Sequence, residues 1–160
     1  MSAFAQEVKP MTDCAKVAGY FVALVDESAG DALTNLKLQK LLYYAQGFHL
    51  ASFGAPLFGE QIEAWEHGPV VPELYRSLKQ HGAEPIPVDP DFNPEELDLD
   101  VRLLLEDIYS VYGQFSASKL RNMTHGEPPW KQTPRGKVIS HAAMAAYFKT
   151  QLIVDSSATN

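Results

Sequence analysis

The chain has 160 residues, 46% of them apolar, with a formal net charge of −7 and a pI near 5.1. That length buries one core and is too short for two full domains, and the negative charge, with no dense lysine or arginine stripe, disfavours direct contact with nucleic acid. Apolar stretches shorter than the roughly 20 residues that span a bilayer, no basic start or apolar run in MSAFAQEVKP, and a lone Cys14 together point to a cytoplasmic protein with no membrane segment and no internal disulfide.

Residues 1–11 show no sustained period and read as a flexible leader before one domain over 12–153, with 154–160 as a polar tail. Thr12 is placed to cap a first helix whose apolar positions Cys14, Val17, Ala18, Phe21 and Val25 recur at helical spacing. A second helix starts near Thr34 or Asn35. Leu38, Leu41, Leu42 and Ala45 fill one of its faces and Leu36, Tyr43 and Leu50 another, the mark of an enclosed helix, which Gly54 and Pro56 stop.

QIEAW has partial strand alternation at Ile62, Ala64 and Trp65, and Gly68-Pro69 turns the chain into a third helix led by Pro72 and Glu73 and stopped at Gly82. Prolines 85, 87, 90 and 94 then forbid a continuous helix, leaving a fixed-path loop with PIPV as a short edge strand. Asn93, Pro94 and Glu96 resemble a capping box opening a fourth helix, with Val101, Leu104, Leu105, Ile108, Val111 and Tyr112 on its apolar face and Leu99 and Leu103 off it as a small sticky patch. Ser116 caps a shorter helix that Gly126, Pro128 and Pro129 end, and a last helix runs from about Ile139 or Ser140 through Leu152. The expected fold is mainly α: five to six helices with a small β-hairpin or two short strands.

Two His-Gly turns, AWEHGPVV and THGEPPW, offer the nearest thing to chemistry. One reading joins His67 and His125 with Glu66 and Glu127 as acid/base partners of a hydrolase or as metal ligands. The other makes them folding devices: glycine permits a tight turn, proline fixes the next angle, and Trp65 and Trp130 anchor the packing. Spacing favours the second, because the histidines sit singly and no ligand pair, nucleophile elbow or glycine-rich phosphate loop occurs. No metal and no cofactor are expected. Cys14 belongs to the apolar face of helix one, and His49, His81 and His141 have no second ligand at a useful offset. Lys37, Lys40 and Tyr44 share a helix face that reads either as a contact for an acidic or aromatic partner or as a solvated lysine edge beside the core tyrosines Tyr43 and Tyr44.

The blocks LTNLKLQKLLYYAQG, PLFGEQIEAWEHGPVVPELY and LRNMTHGEPPW, in this order and spacing, resemble the Panacea domain, also met as SocA-like or GepA-like phage-associated proteins. They span Leu33 to Trp130. The resemblance implies an antitoxin that neutralises a cognate protein toxin by direct contact, paired in different members with unrelated toxin folds. In a SocA-like branch it also implies an adaptor handing the toxin to an AAA+ protease. It carries over no catalytic residue. Lys37, Lys40, Tyr43, Tyr44, Trp65, His67, Gly68, Pro69, His125, Glu127 and Trp130 transfer as partner-binding or signature positions. An enzyme acting through the His67 and His125 turns, as a hydrolase or by reversing a toxin's modification, is the alternative. A DNA-binding autoregulator would need a basic segment, and none is visible.

Overall fold

A computed structural model of the chain describes residues 10–152. The expected leader and tail therefore fall largely outside the described residues. Within them, α1 (Cys14–Ala23), α2 (Asn35–Phe53), α3 (Pro72–Leu78), α4 (Leu99–Tyr112), α5 (Ala117–His125), α6 (Pro128–Lys131) and α7 (His141–Gln151) surround one core, with a hairpin of β1 (Glu63–Trp65) and β2 (Gly68–Val70) between α2 and α3.

Helix α2 is the axis of the molecule. It touches α1, α3, α4, α5, α7 and β2, and Leu38, Leu41, Leu42, Tyr43, Tyr44 and Ala45 are all fully buried. Thr34 caps it by accepting from the Lys37 amide, and Gly54 at φ +72° closes it. The closest neighbour is α7, where a Cβ on Gly47 would sit 2.1 Å from the Phe148 ring, so the missing side chain lets the two helices meet.

The hairpin is antiparallel, pairing Glu63 with Val70, Ala64 with Pro69 and Trp65 with Gly68 around the loop residues Glu66 and His67. On the other edge of β1, Ala64 N donates to Lys137 O and Ile139 N to Ile62 O, so the segment before α7 covers that edge.

Several boundaries depart from expectation. Asp13, not Thr12, caps α1 through the Lys16 amide, while the Thr12 amide is drawn off to Leu57 O. The Asn93 motif caps only a 3-10 turn, Pro94–Glu96: Leu97 is buried and extended at φ −101°, ψ 139°, so the helix restarts at Leu99. PIPV forms no strand, because the Ile86 amide is tied singly to Leu33 O. Pro128 and Pro129 do not only end α5. They occupy the first turn of the short α6, where their missing amides would have had no helical partner.

Candidate functional site

One flank of α2 carries amides where a buried helix would ordinarily carry apolar side chains. Asn35 Nδ2 donates to Tyr75 O at 3.1 Å, Gln39 Nε2 donates to Asn35 Oδ1 at 2.9 Å, and Gln39 Oε1 accepts from Val71 N at 2.8 Å. About two turns further on, Gln46 Oε1 accepts from Leu57 N and its Nε2 donates to Phe58 O, both at 2.7 Å. These amides satisfy backbone groups that no sheet or helix provides for.

Lys40 belongs to the same interior. Its Nζ donates to Pro69 O at 3.2 Å, the side chain is 1% exposed, and no carboxylate among the described residues pairs with it. Burial, reinforced by the Arg121 charge, pushes its pKa down to about 7. Gly68 lies directly over the lysine: its φ of +113° suits glycine, and a Cβ there would be 2.5 Å from Lys40 Cε. Lys37 is half-buried and donates to Gly113 O, with burial lowering its pKa against the pull of Asp31. The lysine-tyrosine face is thus neither an exposed partner contact nor a solvated edge. Lys40 and Tyr44 point inward because neighbours pack around α2 on all sides.

Glu127 precedes the two prolines of α6, and its side chain turns into the core. Oε1 accepts from the Tyr43 hydroxyl at 2.9 Å and Oε2 from the Tyr44 hydroxyl at 2.8 Å, with Tyr147 also bonded to the carboxylate. Burial raises the Glu127 pKa while the three tyrosine hydrogen bonds oppose the rise. The Tyr43 and Tyr44 hydroxyls are pushed far up, by burial first and then by the carboxylate. Tyr44 also stacks on Tyr112 with ring centres 4.0 Å apart.

The two His-Gly turns do meet, through their tryptophans and through a hydrogen bond between His125 and the Glu66 backbone. Trp130 Nε1 donates to Trp65 O at 2.7 Å, and the half-buried Trp130 ring lies against His125 at 3.8 Å and against the Arg135 guanidinium at 3.6 Å. His67 is exposed at the hairpin tip, its Nδ1 accepting from Arg121 Nε at 3.3 Å. His125 Nε2 is buried with no hydrogen-bond partner among the described residues, and burial, with Arg121 next, lowers the His125 pKa. Of the two carboxylates expected beside the histidines, Glu127 is taken by tyrosines and Glu66 lies exposed in the hairpin loop. Cys14 is buried in the core, its thiol pKa pushed up by burial and then by Glu60. Among the described residues no three metal-ligating side chains come together, and no helix is long and apolar enough to cross a membrane.

Reading the sequence singled out the lysines, tyrosines, turns and Glu127 but missed Asn35, Gln39, Gln46 and Tyr147. Amides on a helix with apolar residues all round were the available signal, since such a helix has no wet face to hold them.

The model of the family described as antitoxin SocA-like, Panacea domain, matches residues 38–131, the stretch from α2 to α6 just described. The chain belongs to that family. It is also 34% identical to antitoxin SocA of Caulobacter vibrioides (strain NA1000 / CB15N) over 65% of this chain, spanning 61% of that protein's length. No solved structure matches significantly.

Proposed function

We propose that this chain is an antitoxin that neutralises a cognate protein toxin by direct binding. Its membership of the SocA-like family carries the reading. The interior supports it: the polar residues with most chemical potential, Lys40, Tyr43, Tyr44 and Glu127, are occupied in holding the hairpin and α6 to α2. Recognition then falls to the outer faces. The adaptor role, delivery of the bound toxin to an AAA+ protease, forms part of the proposal, as does a cytoplasmic location.

Co-expression with the neighbouring open reading frame tests it. Rescued growth with a stoichiometric complex is the expected result for a neutraliser. Rescue with toxin depleted, and restored in a protease-deficient strain, is the expected result for an adaptor. Absence of both toxicity and complex refutes the antitoxin reading.

One observation keeps the hydrolase alternative distinct: the unpartnered His125 Nε2 beside Trp130. Replacing His67 and His125 by Asn separates the readings. Binding predicts that any loss of protection follows stability or affinity, whereas an enzyme predicts lost protection with fold and affinity intact.

A further inference from the structure

The negative charge of this chain is not spread over its surface. Residues 84–107 hold nine of the 20 acidic residues but only Arg102 of the 13 basic ones, a net of −8 in a chain whose total is −7. Residues 113–151 are the reverse, with six basic residues against Glu127, itself buried. The acidic stretch ends in α4, which turns Val101, Leu105 and Ile108 to the core. Its opposite face presents Leu99 and Leu103, 60% and 52% exposed, one helical turn apart, with Glu106 and Asp107 exposed on the next turn.

At the N-terminal end of α4 the face continues into a groove of about 600 Å³. There Met11 and Phe53, both about half-exposed, stand with Asp98 and Asp100, and Lys16 on the same lining is already paired with Glu96 at 3.5 Å. Apolar side chains in water beside a predominantly acidic field are the composition of a protein-binding surface. The field also fixes the sign of the occupant, since like charge would be repelled.

We propose that the outer face of α4 and the adjoining groove form a docking surface for a basic, amphipathic segment of a partner protein, its apolar side chains seated on Leu99 and Leu103. Taking that partner to be the toxin rests on the antitoxin reading above. The surface itself rests on charge and exposure. Lysines or arginines flanking the segment's apolar side chains would meet Asp107 and the carboxylates rimming the groove, accelerating encounter and fixing register.

The test uses the full chain with the neighbouring gene's product, in wild-type form and as the double variant Leu103→Lys/Asp107→Lys, with Leu36→Lys as an exposed control on α2. Both sites lie outside the buried core, so melting temperatures should not move. The double variant should bind about tenfold more weakly or worse and show a shallower salt dependence, while Leu36→Lys binds normally. Unchanged affinity in the double variant, or loss only in Leu36→Lys, overturns the proposal. If the wild type forms no complex with that product, the antitoxin reading fails and the surface is judged separately. A synthetic amphipathic leucine-lysine peptide should then shift amide resonances over residues 99–111 in a salt-dependent way, and shifts elsewhere or none overturn the surface too. A chain that dimerises alone and becomes monomeric in the double variant would assign the face to a second copy's basic half instead, against the proposal.

Discussion

Lys40 provides the sharpest test of the interior. An ammonium sealed from water with one carbonyl as its partner is held at a penalty, and the folded protein binds its proton with a pKa of about 7 in place of 10.5. Because the folded pKa lies below the unfolded one, the unfolded chain holds more protons between those values, and stability must rise with pH across that window. With these two pKa values the penalty is about 4 kcal/mol near pH 7.5 and about 1 kcal/mol near pH 9.5, a gain of about 2–3 kcal/mol. Lys40→Met keeps most of the side chain's volume and removes the titration. Urea denaturation followed by far-UV circular dichroism at both pH values should show the wild type gaining about 2–3 kcal/mol more than the variant. The variant should be the more stable protein near neutrality even though Pro69 O loses its donor, since that loss is worth only about 1–3 kcal/mol. Parallel pH profiles would refute the description of Lys40 as a buried amine.

Tyr44→Phe removes one hydroxyl from Glu127 and should destabilise by about 2 kcal/mol at neutral pH. Its defect should shrink in acid: the lost bond raises the folded pKa of Glu127 further, and a raised carboxyl pKa means stability present in acid and lost as pH climbs through it, so chemical melts near pH 4 and pH 7 should differ in that order. Gly47→Ala improves helix propensity by roughly 1 kcal/mol yet should lower the melting temperature, because its methyl would sit 2.1 Å from a Phe148 ring held by Tyr43, Tyr44 and Phe48, an overpacking of about 1–3 kcal/mol or more. Trp130→Ala, half-buried rather than buried, should lose about 2–3 kcal/mol through its hydrogen bond to Trp65 O and its contacts with His125 and Arg135. A thermal melt equal to wild type in either of these last two variants would contradict the packing described.

Helices were legible in the chain wherever period and cap coincided. Ser116 and Ser140 cap α5 and α7, and Gly54 closes α2, because each boundary is set by neighbours in sequence. Asn93 failed as the start of α4 because a distant constraint, the burial of Leu97, overrode a good local motif. The site divided the same way. The turns at Gly68 and Gly126 were readable from their residues, but the inward course of Lys40 and Glu127 was not: whether a lysine on a helix faces water or a wall depends on what β2 and α5 bring up against it. No period within α2 encodes that.

The same division bears on how a single domain could serve unrelated toxins, as the Panacea resemblance implies. The motifs carrying that resemblance lie in α2, the hairpin with the start of α3, and α5 running into α6, where Gln39, Tyr43, Tyr44 and Glu127 are used in internal bonds. Such residues fix the scaffold and are unavailable to a partner. The proline-rich loop and the outer turn of α4 lie outside those motifs, and they hold the concentrated charge and the exposed leucines. A scaffold maintained by one set of residues and a surface varied in another would let partner choice change without refolding the domain. Substitution at Tyr44 and at Leu103 should then separate: the first lowers stability and carries affinity down with it, whereas the second lowers affinity at constant stability. Should Leu103→Lys/Asp107→Lys and Tyr44→Phe shift melting temperature and affinity in the same proportion, scaffold and recognition would be one surface, and the division would be wrong.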